Sequence, residues 1–275
     1  MPWFTDRHLF ALAVGIYGLS TIYSVFLWRR GFQQDNRLNY FLLLAGFGLN
    51  VLAMVERGLS FSRCPVTNLY EAVVFISWAI LLVYLLLGTW SRLRFLGAFA
   101  SPVLFGMGVF GLMPALDNPN SALRPELANG WSSLHAALIL LAYGAFGLSS
   151  IAGLMYLTQE HNLKFHKLQA VLSLLPPIER LERTVGRLLL AGFILFTAGL
   201  MVGALWVKKP EGVRFYQDAK VIWSAFLWLV YTGLLIMRWY FRQGGRRFAW
   251  GAVGTFAFVI LTFWGTNLLS VIHRH

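Results

Sequence analysis

Cysteine and charge are both scarce in this chain of 275 residues. The single cysteine, Cys64, excludes an internal disulfide, a CxxC redox pair and a cysteine cluster for zinc or an iron–sulfur centre. No HExxH motif or glycine-rich nucleotide loop is present. Charged residues make up 12% of the chain, about half their share in a typical soluble domain. This composition excludes an ordinary soluble enzyme.

What the chain has in place of charge is long apolar runs. Hydrophobic residues account for 58% of the sequence, and several runs reach the roughly 20 residues that cross a bilayer. Helices satisfy their own backbone groups in lipid, so we predict an all-α, polytopic bundle. We expect no cleavable signal peptide, because the first apolar run continues past signal length. Eight spans are predicted, at roughly 8–28, 38–56, 67–89, 95–113, 132–157, 186–207, 221–241 and 248–270.

The basic residues predict the orientation of these spans. The net charge is +12, and most Lys and Arg fall on the side of the first connection, which marks the cytoplasmic face. Both termini are therefore predicted to face outward. The charge is accounted for by topology, so no nucleic acid partner is expected. The segment 158–187 is predicted to lie as an amphipathic helix on the inner leaflet, interrupted at Pro176 and Pro177. The alternative is a segment that docks a partner protein.

Two of the six histidines are predicted to lie at the same membrane face. His135 falls about one turn inside the outer end of the fifth span, and His273 falls at the outer end of the eighth. Facing imidazoles can take both axial positions of a haem iron. The alternative is that each is a solvated or hydrogen-bonded interface residue, which is common for histidine. Spacing alone leaves both interpretations open.

Glu71 is the other unusual polar residue, because an acid one turn inside a span is costly unless it is paired or wet. Asn68, Tyr70 and Arg57 are its candidate partners. A hydrogen-bonded clamp at the helix end and a ligand site are both open. With the basic outer loop after residue 207, Glu71 also allows a secondary transporter of a small organic anion, although no inverted repeat is evident. A non-catalytic membrane scaffold, or regulator of haem metabolism, is the third alternative.

Five segments resemble, in the same order, blocks of the cytochrome c assembly family, the CcsA/ResC/CcmC superfamily. The resemblance is closest to its short HemX/YpjD-like members. It covers roughly residues 40–273 of what is expected to be one integral-membrane domain, 1–275. The segments are "RCPVTNLYEAVVFISW" (63–78), "HAALILLAYGAFGLSSIAGLMYL" (135–157), "PPIERLERTVGRLLLAGFILFTAGLMVGALW" (176–206), "DAKVIWSAFLWLVY" (218–231) and "WGTNLLSVIH" (264–273).

The resemblance implies a haem-binding membrane protein of cytochrome c biogenesis, with non-covalent haem b as its cofactor. His135 and His273 correspond to the family's two outer-face ligands of the haem iron, and His275 is an alternative to His273. The family's WGxxWxWDxxE-type loop forms a floor under haem, and "YQDAKVIW" keeps only part of that pattern. An ordinary aromatic belt is the alternative reading of this loop. The candidate floor residues are Trp206, Phe215, Tyr216, Asp218, Lys220 and Trp223.

The chain departs from the haem-exporting members of the family in two respects. Arg63, Cys64 and Pro65 stand where a histidine would precede the "NLYE" block, and no span has a central histidine. With the partial loop, this favours a haem-handling accessory protein over a complete haem ligase. The implied location is the bacterial inner (plasma) membrane. The implied partners are haem, apocytochrome c and other cytochrome c maturation membrane proteins.

Overall fold

The computed structural model of the protein describes residues 5–29, 37–61, 69–89, 91–117, 130–165, 177–206 and 218–269. These residues form eight long helices and two short 3₁₀ turns, Ser91–Leu96 and Pro114–Leu116, with no strand among them. The helices are α1 (Asp6–Arg29), α2 (Arg37–Phe61), α3 (Leu69–Gly88), α4 (Gly97–Gly111), α5 (Gly130–Phe165), α6 (Ile178–Trp206), α7 (Ala219–Trp239) and α8 (Arg246–Leu269).

Each predicted span coincides with one of these helices. Helices α1 to α3 and α5 to α7 contain stretches long and apolar enough to cross a membrane, and α4 does so together with the end of the 3₁₀ turn before it, as Arg94–Gly111. The 24 residues of α8 cover the eighth predicted span up to residue 269. The prediction of an all-α membrane bundle is therefore confirmed, while the side on which the termini lie stays a prediction.

The prediction of a separate surface helix over 158–187 is wrong for both ends of that segment. Helix α5 continues without a break to Phe165, and α6 already begins at Ile178. The charges at the two described ends of the segment, 158–165 and 177–187, therefore lie on extensions of two spanning helices. An amphipathic charge pattern does not distinguish such an extension from a helix lying on the bilayer, because both have one polar and one apolar side.

The eight helices pack as two antiparallel groups of four. In the first group, α1 and α3 each pack against α2 and α4. In the second, α5 and α7 each pack against α6 and α8. Helices α3 and α5 join the two groups, and they are the most buried candidate spans, at 67% and 78%. The starts of α1, α3, α5 and α7 thus lie at one end of the bundle, called here the His135 face.

Small residues allow α3 and α5 to approach closely. A Cβ added to Gly144 would overlap the backbone oxygen of Ala79, and one added to Gly147 would lie 2.7 Å from a side-chain carbon of Ile80. Hydrocarbon provides no hydrophobic drive between helices, so close backbone packing is a main source of their association. The glycines of segment 144–153 therefore pack helices together.

Candidate functional site

His135 lies in the second turn of α5 and faces the last turns of α6. Its Nδ1 atom is 2.7 Å from the backbone oxygen of Gly199. A carbonyl oxygen can only accept a hydrogen bond, so Nδ1 carries the proton. In the neutral ring, Nε2 then keeps its lone pair and is the nitrogen able to bind a metal. Histidines that ligate metals usually have their second nitrogen held in this way.

Gly203 provides the room that the imidazole occupies. A Cβ at this position would lie 2.7 Å from both Nδ1 and Cε1 of His135, closer than real contacts allow. Gly199, one turn earlier on α6, lies against Ile139 at a similarly short distance. The same two glycines thus pack α6 against α5 and hold the ring of His135. Sequence reasoning missed this second role.

Asp218 and Lys220 lie at the start of α7, at the same face. The Asp218 side chain accepts hydrogen bonds from the backbone nitrogens of Lys220, at 3.0 Å, and Val221, at 3.4 Å. Asp218 is 2% exposed and is the N-cap of α7, which satisfies two amides that the helix leaves open. Lys220 is the second residue of α7, in the turn that Asp218 caps, and it is half-buried.

Trp223, one turn further along α7, is buried between helices. Its indole Nε1 donates to the hydroxyl oxygen of Thr262 on α8 at 2.8 Å, and the residue is 8% exposed. Trp223 therefore holds α7 against α8, unlike the exposed ring of an interfacial belt. Because the two helices are antiparallel at this bond, the described end of α8, Leu269, lies towards the His135 face.

The structure thus brings His135, Asp218, Lys220 and Trp223 to one face of the second helix group. It describes the backbone of Trp206 at the end of α6 and nothing of that side chain. Five further sequence-predicted site residues lie outside the described residues. These are Asn68, Phe215, Tyr216, His273 and its alternative His275.

A second polar cluster lies at the same end of the first helix group. The guanidinium of Arg57 donates to Glu71 at 2.9 Å, to Asp117 at 2.6 Å and to Asp6 at 3.1 Å. The Tyr70 hydroxyl also donates to Asp6, at 3.3 Å. Arg57 is one of the partners that the sequence offered for Glu71, and the geometry is that of a clamp between the ends of α1, α2, α3 and α4. Sequence reasoning missed Asp6 and Asp117.

Comparisons with known proteins show similarity over most of the chain. A sequence model of the family described as "Cytochrome C assembly protein" matches residues 66–273. The chain is 28% identical over 253 residues to the cytochrome c biogenesis protein CcsA of Guillardia theta, covering 82% of this chain and 83% of the relative. It is 27% identical over 239 residues to the protein HemX of Brevibacillus brevis, covering 86% of each. The matched range contains both His135 and His273.

Proposed function

This chain belongs to the cytochrome c assembly protein family, and from this premise we propose that it binds non-covalent haem b at the His135 face. It is an integral membrane protein with a role in cytochrome c maturation. In the proposal, His135 is one axial ligand of the haem iron and His273 is the other. Both belong to the part of the chain that matches the family.

The observation that carries the proposal is the hydrogen bond from His135 to Gly199. This bond leaves the Nε2 lone pair for the metal. It also holds the ring in place and disfavours the tautomer that carries the proton on Nε2. A histidine that served only as a hydrated interface residue would not need this steric arrangement. At Gly203, any side chain would overlap the His135 ring.

The neighbouring groups also fit an iron porphyrin. A porphyrin carries two propionates, and Lys220, in the first turn of α7 at the His135 face, offers a cation for one of them. The N-cap made by Asp218 holds the first turn of α7, and with it Lys220, in place. Bound haem supplies the iron porphyrin that cytochrome c maturation consumes. The residues of this chain bind and orient it.

The membrane side, the membrane and the partners of this protein belong to the same proposal. The His135 face is the outer face, with both termini there, and the membrane is the bacterial plasma membrane. The chain acts as a haem-handling accessory protein, with apocytochrome c and other maturation membrane proteins as partners. The transporter alternative gains no support, because its candidate acid, Glu71, is bonded to Arg57 within the clamp.

The absorption spectrum of the purified wild-type protein tests the proposal. We expect a low-spin Soret band after expression in a haem-replete host, because two imidazoles bind the iron from opposite sides. His273→Ala is expected to remove the low-spin signature and His275→Ala to preserve it. The reverse result would assign the second ligand to His275. A wild-type protein that neither retains haem nor binds added haemin would refute the proposal.

Replacing Gly203 with alanine tests the seating of His135 without removing a ligand. The added Cβ would overlap the imidazole, so the ring has to leave the Gly199 carbonyl, and haem affinity is expected to fall about tenfold. Gly233→Ala on α7 is the matched control, since a Cβ there would meet nothing within 4 Å. Haemin titration followed at the Soret band measures both variants. Equal affinities for the two would contradict the proposed role of Gly203.

A further inference from the structure

A groove of about 310 Å³ runs along the surface between α6 and α7, in the half of the bundle away from the His135 face. Its size is within the range of small-molecule binding sites. Every side chain that lines it is apolar or aromatic except Thr232. The other lining residues are Leu190, Phe193, Leu235, Ile236, Trp239 and Tyr240.

The inner end of the groove lies at Phe193 and Thr232, and its open end lies at the end of α7. Next to the inner end, the indole Nε1 of Trp228 donates to the Thr197 hydroxyl at 3.0 Å, and the Trp228 ring lies 5.6 Å from the ring of Phe193. At the open end, Trp239 and Tyr240 are 55% and 81% exposed. Aromatic rings of this kind mark the level of the lipid headgroups. The groove therefore extends from the middle of the bilayer to its surface.

Arginines stand at the open end of the groove. One side of α6 carries Arg183, Leu190 and Thr197, which are spaced by seven residues. Arg183 therefore lies two turns before the lining residue Leu190, on the same side of the helix. Arg187, one turn from Leu190, is exposed, as is Arg183. The Arg183 Nε donates to the Glu179 backbone oxygen at 3.3 Å, which directs the side chain towards the start of α6.

We propose that this groove binds one anionic phospholipid, with an acyl chain in the groove and its phosphate at Arg183 and Arg187. An apolar channel ending at two guanidiniums is complementary to a ligand with an apolar tail and an anionic head. Guanidinium groups pair with phosphate through two parallel hydrogen bonds. A zwitterionic lipid pairs more weakly with arginine, because its own cation partly neutralises the phosphate. This site is independent of haem binding.

Delipidated protein in a neutral detergent provides the test. The rise in melting temperature is followed as phosphatidylglycerol or phosphatidylcholine is added. We expect tighter apparent binding of phosphatidylglycerol. The double variant Arg183→Gln/Arg187→Gln is expected to weaken that binding about tenfold, with little change for phosphatidylcholine. Arg246→Gln/Arg247→Gln is the matched control, because it removes the same charge from α8, which does not line the groove. It is expected to bind phosphatidylglycerol like the wild type.

A third variant tests the acyl chain. Ile236 lines the groove and is 47% exposed, so Ile236→Trp fills the groove without entering the core. It is expected to weaken the binding of both lipids. Equal binding of the two lipids by the wild type, equal losses in the two arginine variants, or unchanged binding by Ile236→Trp would each overturn the proposal. Inorganic phosphate that raises the melting temperature as much as phosphatidylglycerol at the same concentration would also overturn it, because the acyl chain would then contribute nothing.

Discussion

Replacing His135 with alanine is expected to abolish the low-spin haem spectrum and to reduce haem affinity by about 100-fold. Loss of an outer hydrogen-bond partner already costs a metal ligand 10- to 100-fold, and loss of the ligand itself has to reach at least the upper end of that range. The remaining histidine would leave the iron five-coordinate. The change is therefore expected in both the position and the intensity of the Soret band, measured by haemin titration of the purified protein.

Added imidazole distinguishes a lost ligand from a damaged fold. His135→Ala leaves a space beside Gly199 and Gly203, and free imidazole that enters it is expected to restore part of the low-spin spectrum. His8→Ala is the control. His8 is also a histidine at the start of an odd-numbered helix, it is exposed, and its Nδ1 lies 2.8 Å from the Thr5 hydroxyl. Equal loss of haem in both variants would contradict a specific role for His135.

Of the variants proposed for this protein, Arg57→Met is expected to lower the free energy of unfolding most, by about 3–5 kcal/mol. Arg57 bonds three carboxylates whose side chains are nearly buried: Glu71 is 1% exposed, Asp117 10% and Asp6 15%. Methionine keeps much of the side-chain volume and removes the guanidinium that these carboxylates share. The three carboxylates, left without their shared cation, then have to be protonated or hydrated. We expect the helix ends to separate, because water has to reach these groups. Thermal unfolding in detergent measures the loss.

Two further variants locate the origin of this effect. Arg7→Met is expected to cost only about 1 kcal/mol, because Arg7 is 32% exposed and, among the described residues, bonds the carboxylate of Asp117 at 3.3 Å and the backbone oxygen of Leu112 at 2.7 Å. Adding Glu71→Gln to Arg57→Met is expected to recover part of the stability, since it removes one of the stranded charges. Equal losses in Arg57→Met and Arg7→Met would show that the clamp is a surface ion pair only.

The spans and their order could be predicted from the sequence because membrane crossing is a local property. A run of about 20 apolar residues has to cross the bilayer, whatever packs beside it. Asp218 also carried a local signal, since an aspartate immediately before an apolar helix is a common N-cap. The family resemblance placed Asp218 in a haem floor, and its role as a cap became evident only in the structure.

The surface-helix prediction for 158–187 failed because the end of a helix is not a local property. Charges in 158–187 indicated where water or lipid headgroups begin, but the point at which a helix stops depends on whether its neighbours continue to support it. Helices α5 and α6 pack along each other, and α5 continues to Phe165. Nothing in the local pattern distinguishes that support from contact with a bilayer.

The sequence by itself determined the class of protein, the eight helices and the resemblance that pointed to His135. Only the tertiary structure decided that the His135 ring is held by Gly199, 64 positions later, and that Arg57 gathers carboxylates 51 and 60 positions away. Hydropathy acts along the chain and is read from consecutive residues. Hydrogen bonds and ion pairs act over about 3 Å in space, and the distance between two side chains is defined only once the helices have packed.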